Sequence, residues 1–293
     1  MTYSKSLTQY PPGSLKELLF LSCPIFFTLI SSTLMAFCDR YFLSLYSLDA
    51  FKAVSIASYL CFVFQAFFVR ITSINQVFVG RSIGENCLSK IGPYTWQMIW
   101  CSFFTLLITP SITSLCGNLY FSHTEVATLG TQYFSIMMWG NFLFPLGAVL
   151  AAFQMGRGKT LSLAMTALIA NLLNGALDYV LINGIPGFIQ DYGVSGAAVA
   201  TLIAQTVYCL ILAFLFIKTP ERKSYQINNC RIQWPLFKEM IKLGIPRAFS
   251  KMTLLACWAA AISLVSKKGG DYITAIAIGA TLWPLMSVIS ESI

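Results

Sequence analysis

The stretch Thr160-Leu-Ser-Leu-Ala-Met-Thr-Ala-Leu-Ile-Ala-Asn-Leu-Leu-Asn-Gly-Ala-Leu177 carries no charged side chain. As a helix rising 1.5 Å per residue it would cover most of a bilayer core about 30 Å thick. Met98 to Ser122 is a second uncharged run of that kind. Working outward, 57% of the 293 residues are hydrophobic and only 10% are charged, with a mean hydropathy of +0.71. A water-soluble fold could not bury so much apolar surface, so the chain reads as membrane-inserted. The runs are continuous rather than alternating, which selects helices over a barrel.

Apolar runs and breakers give eight expected spans: Lys16 to Leu45, Ala50 to Val79, Pro93 to Cys116, Glu125 to Met155, Thr160 to Asn183, Gly193 to Lys218, Phe237 to Val265 and Tyr272 to Ile293. No convincing small-residue cleavage site follows Leu18 to Cys38, so this segment is taken as a retained first span. With the N-terminus in the cytoplasm, twelve basic residues fall in inside segments and three (Lys52, Lys267, Lys268) outside. That asymmetry follows the positive-inside rule and explains the net charge of +8 better than a nucleic-acid partner would. Nine cysteines sit singly in largely apolar surroundings beside one histidine, His123, so neither a disulfide framework nor a zinc site is indicated.

The polar stretch from Thr219 to Trp234 divides the chain. Residues 1–218 form a six-helix lobe, 219–236 a cytoplasmic linker, and 237–293 the start of a second lobe. Leu15-Lys16-Glu17-Leu18-Leu19 and Pro24 lie over Phe237-Lys238-Glu239-Met240-Ile241 and Pro246 at a constant offset, and Ala53-Val54-Ser55-Ile56 falls on Ala275-Ile276-Ala277-Ile278. A repeat with an even number of spans gives parallel halves. A second copy of full length would carry about four further spans, and the chain by itself is expected not to transport.

Within the spans, and away from their ends, the acidic residues are Asp39 and Asp178. Each costs about 2.5 to 3.5 kcal/mol at a helix centre unless it meets a partner or water. Counting from the span ends, Asp39, Asp178 and Thr201 all lie about 8 to 12 Å below one membrane surface. Asn171, Asn174 and Asp178 recur at i, i+3 and i+7, on one helical face. Two carboxylates with amide and hydroxyl oxygens suit a hard monovalent cation, and close carboxylates can equally share a proton. The asparagines could instead be interhelical fasteners, and Arg40 could offset the charge of Asp39.

The run Asn171-Leu-Leu-Asn174-Gly-Ala-Leu-Asp178-Tyr-Val-Leu-Ile-Asn-Gly184, followed by Gly193-Val-Ser-Gly-Ala-Ala-Val-Ala-Thr201, resembles spans 5 and 6 of the multidrug and toxic compound extrusion (MATE) family. Asp39 is similar to that family's acidic residue on span 1, and Pro24 to its bending proline. The resemblance implies an all-α polytopic membrane protein of the bacterial inner membrane, a monomer with no enzymatic activity and no cofactor. It would have a MATE-like six-helix lobe plus the first two helices of a second, and would export small organic cations or amphiphiles. Sodium or protons would drive it, bound at Asp39, Asn174, Asp178 and Thr201, with Asn171 a secondary polar residue and Pro24 a gating bend. Arg40 and Arg70 depart from the family pattern. With Arg247 and Lys251 they lend weight to a rival, a flippase of lipid-linked precursors in the same superfamily. An intramembrane aspartyl enzyme using Asp39 and Asp178 is disfavoured, because Lys268-Gly269-Gly270-Asp271 does not fit the GxGD signature.

Overall fold

The computed structural model describes residues 11, 14–121, 126–188 and 190–266, with single positions at 272, 275, 278 and 279. Among these the elements are α1 (Leu15–Tyr46), α2 (Leu48–Thr72), α3 (Asn75–Gly84), a 3₁₀ turn (Leu88–Lys90), α4 (Ile91–Phe121), α5 (Ala127–Trp139), α6 (Leu143–Gly156), α7 (Thr160–Asn183), α8 (Gly193–Ile217) and α9 (Trp234–Ser266). No β-strand forms among the described residues. By length and composition α1, α2 with α3, α7 and α8 can each cross a membrane, and α5 with α6 can do so as a bent pair. Leu107, Leu161, Leu172 and Phe214 stay exposed on their outer faces, as surfaces meant for lipid do.

Local chemistry sets the helix ends. Ser14 caps α1, its Oγ accepting from the Glu17 N–H at 3.2 Å. Ser47 is extended and separates α1 from α2, its Oγ accepting from the Ala50 N–H at 3.4 Å. Gly184 ends α7 with φ +72°, a conformation that glycine adopts without steric cost.

Two expected spans are interrupted. The fourth, read as continuous from Glu125 to Met155, breaks between Trp139 and Leu143 with a bend of 46°. A Cβ on Gly140 would stand 2.2 Å from Leu202 Cδ2, so α8 presses into the corner that the missing side chain leaves. Backbone bonds from Asn141 N–H to Met138 O (3.2 Å) and Leu143 N–H to Gly140 O (3.1 Å) carry the main chain around the corner. The second span continues into α3 past a turn at Ser73 and Ile74. The eighth, Tyr272 to Ile293, falls outside the described residues apart from isolated positions.

The interior divides into an upper core near Ser47 and Gly184, around Leu43, Val54, Phe134, Ile182 and Ala198, and a lower core around Phe78, Met98, Phe153, Phe216 and Met240. Helix α9 starts at Trp234, inside the stretch read as linker, and lies along α2: Phe67 and Phe249 meet edge-on at 5.7 Å. Gly244 lets it close in, since a Cβ there would stand 3.2 Å from Ile71 O.

Candidate functional site

Helix α7 is held between α1 and α8. The α7–α8 contact is backbone-close because of Gly196, where a Cβ would stand 2.4 Å from Leu181 O. Ala197, Ala200 and Ala204 are small, buried residues further along α8, and close approach of this kind is how helices associate without a hydrophobic drive. The seam carries the polar face of α7 inward, so that Asn174 and Asp178 are fully buried.

Asn174 is the hub. With its amide oriented by its partners, Nδ2 donates to Asp39 Oδ1 at 2.9 Å and to Asp178 Oδ2 at 3.1 Å, while Oδ1 accepts from the Thr201 backbone N–H at 3.2 Å. The Asp39 and Asp178 carboxyls are thus drawn together on one amide nitrogen. The second oxygen of Asp178, Oδ1, is buried and has no partner among the described residues. Asp39 is partly exposed, so the group is approached from the α1 side.

Three of the four residues expected to bind a cation are thus brought together by their side chains. Thr201 joins through its backbone, because its hydroxyl donates to Ala197 O at 3.0 Å in its own helix. Asn171 is not in the group: its Nδ2 donates to Ser31 Oγ on α1 at 2.7 Å, a turn lower. Pro24 sits inside an unbroken α1, with the Thr28 hydroxyl donating to Pro24 O at 2.8 Å. Arg40 acts on Asp39 electrostatically from the next position along α1. Tyr133 on α5, buried and within electrostatic range of Asp39, Arg40 and Asp178, was not anticipated from the sequence. A lone phenol in an apolar run is the signal for it, since a buried tyrosine hydroxyl usually finds a partner.

Chemically, two carboxylates this close in a low-dielectric bundle call for a compensating positive charge, whether a proton or a small cation. The ligand atoms on offer are the carboxylate oxygens of Asp39 and Asp178, which match a hard ion, and Asp178 Oδ1 has no partner among the described residues; Asn174 Nδ2 and the Thr201 N–H are donors that hold the group together. Among the described residues no three of His, Cys, Asp and Glu converge, so no transition-metal centre is formed there.

An apolar-faced helical bundle holding a carboxylate–amide cluster that opens on its α1 side defines a multi-pass membrane protein. Residues 24–180, more than half of the chain, match the family described as MatE, and the chain belongs to that family. The match includes Asp39, Asn171, Asn174 and Asp178 and stops short of Thr201. The "Probable multidrug resistance protein NorM" of Thermotoga maritima is 27% identical over 243 residues, covering 81% of this chain and 52% of the relative. The protein of the same name from Rhizobium meliloti is 31% identical over 199 residues, covering 67% and 40%. The chain therefore spans about half the length of the curated relatives it matches. Among solved structures, a MATE crystallised in complex with MaD5 aligns with a TM-score of 0.79 at 20% identity, over 98% of this chain and 65% of that one. An outward-facing multidrug resistance MATE transporter aligns with a TM-score of 0.78 at 18% identity, over 98% and 66%. At these identities the likeness is one of fold.

Proposed function

We propose that this chain supplies the cation-binding lobe of a secondary exporter in the bacterial inner membrane. Sodium or protons bound at Asp39, Asn174, Asp178 and Thr201 drive the expulsion of small organic cations or amphiphiles. The N-terminus is cytoplasmic, the upper end of the bundle faces outward, and the protein works as a monomer in lipid. The reading is supported by the NorM relatives and, above all, by one observation: a carboxylate pair bridged by the buried Asn174, with the buried Asp178 Oδ1 left without a partner among the described residues.

The cycle follows from charge. An ion arriving from outside neutralises the pair, and a neutral cluster can be enclosed where a doubly negative one cannot. Neutralisation frees α1 to bend at Pro24, where the ring has already removed one helical hydrogen bond. The ion drives the change only to the extent that it binds the two conformations with different affinity. The test is Asp178→Asn, which keeps shape and hydrogen-bonding capacity while removing the charge. Gradient-driven uptake of a fluorescent organic cation into everted vesicles carrying a version of the protein completed with a full second lobe should fall by about 100-fold or more, equivalent to about 2.7 kcal/mol. Uptake equal to the unaltered protein's at matched expression would refute the assignment.

A further inference from the structure

The polar stretch after α8 has the length and composition of a loose tether: fully extended, residues 219–233 could reach about 50 Å. The structure instead fastens them to the lower end of the first bundle at closely spaced points. At the near end Arg157, at the foot of α6, is almost wholly buried. Its Nη1 donates to Thr219 Oγ1 at 2.8 Å and its Nη2 to Glu221 Oε2 at 2.7 Å. Its guanidinium carbon lies 4.9 Å from the ring centre of Phe153 and 5.2 Å from that of Tyr225, so the cation is clamped between a ring of the bundle and a ring of the linker.

Helix α4 holds the rest. The Gly92 N–H donates to Tyr225 O at 2.9 Å, and only glycine permits this approach, because a Cβ would stand 2.5 Å from that oxygen. The indoles of Trp96 and Trp100 donate to Ile227 O (2.6 Å) and Cys230 O (2.9 Å). The buried amide of Gln97 closes the far end, donating to Arg231 O at 3.1 Å and accepting from the Gln233 N–H at 2.9 Å. The next residue, Trp234, is the first of α9.

We infer that residues 219–233 are a strap belonging to the first bundle, and that α9 moves against that bundle about a pivot confined to Gln233 and Trp234. With no slack between the last anchor and the helix, the lower end of α9 cannot translate; it can only swing. A swing of about 10° displaces Thr253 by about 5 Å, given 1.5 Å of rise per residue, and leaves Lys238 nearly in place. The contacts above the pivot, beginning with Phe249 on Phe67, release in order of their distance from it. The inference does not rest on the cation assignment, since Arg157, the first turns of α4 and the strap lie at the opposite end of the bundle from Asp178.

The test uses pulsed electron–electron resonance on the whole chain in lipid nanodiscs, cysteine-depleted and spin-labelled in pairs. Labels at Ser89→Cys and Asn228→Cys join bundle and strap. Labels at Ser89→Cys with Lys238→Cys or Thr253→Cys follow α9 near and far from the pivot. The 89–228 distance should be single and narrow, and unchanged by sodium or by ethidium used as a cationic probe. The 89–238 distance should be as narrow, and the 89–253 distribution at least twice as wide or shifted by about 5 Å. Arg157→Met should broaden the 89–228 distribution at least twofold. If that variant does not fold, Trp100→Phe, which removes one half-exposed bond, should broaden it to a smaller degree. A broad 89–228 distance in the unaltered chain, or one that shifts with the probes, overturns the strap. A 89–253 distribution no wider and no more displaced than 89–238 overturns the pivot.

Discussion

The bundle buries charge in two places and treats it in opposite ways. At the lower end, Arg157 meets a carboxylate, a hydroxyl and two aromatic faces. At the upper end, Asp39 and Asp178 meet each other, share one amide, and leave an oxygen without a partner. A buried charge surrounded by its complement is a fastener, because removing one side strands the other. Two like charges, offset by Arg40 alongside, make a poor fastener and, under the proposed function, a receptor. Opposite signs that bond directly hold structure together, and like signs drawn together favour a bound positive charge.

The largest expected effect tests this contrast directly. Arg157→Met should lower the stability of the purified chain by about 3 kcal/mol, combining the lost cation–aromatic contacts with two charge-assisted hydrogen bonds. Glu221, already partly exposed, moderates the loss because it can turn to water. Asp178→Asn should change stability in sodium-free buffer by no more than about 1 kcal/mol, since it removes a like-charge contact and keeps a donor for Asp39. Unfolding in graded denaturing detergent measures both. Equal losses from the two substitutions would erase the distinction between fastener and receptor.

Gly196→Ala comes next. A Cβ there would stand 2.4 Å from Leu181 O and 2.6 Å from Leu181 C, and neither backbone atom can rotate away. Helices α7 and α8 must separate, at a cost of about 1–3 kcal/mol. The Thr201 N–H then withdraws from Asn174, so sodium-dependent stabilisation should weaken together with stability. If stability falls while the sodium response stays intact, the seam is structural only and does not position the cluster.

Much of this was legible in the sequence. The fifth span was bounded at Thr160 and Asn183, where α7 begins and ends, because glycines and a charged loop bracket an apolar run. Depth counting brought Asp39 to the level of Asp178, and the two meet. What could not be read was rotation and backbone irregularity. The corner at Gly140 sits in a continuous apolar run, and its cause is a side chain from α8, which no local pattern announces. The Thr201 hydroxyl turns to its own helix, a choice that spacing does not determine. The stretch after α8 reads in sequence only as a cytoplasmic linker, because polar composition reports solvent contact and says nothing of carbonyls held by two indoles and an amide.

Asn171 offers the finest test, because it shares a helical face with Asn174 and yet stands apart from the carboxylates. Its bond to Ser31 joins α7 to α1 without touching a charged group. It is therefore a neutral fastener on the same pair of helices that carries the receptor. Asn171→Ala should cost about 0.6 kcal/mol, the usual size of an interhelical hydrogen bond in a membrane bundle, and the sodium-dependent increment in stability should remain whole. Measuring unfolding with and without sodium separates the two contributions, since a fastener shifts both curves equally and a receptor residue shifts only their difference. If the sodium increment disappears in Asn171→Ala, the receptor extends a full turn lower along α7, and the polar face works as one unit from Ser31 to Asp178.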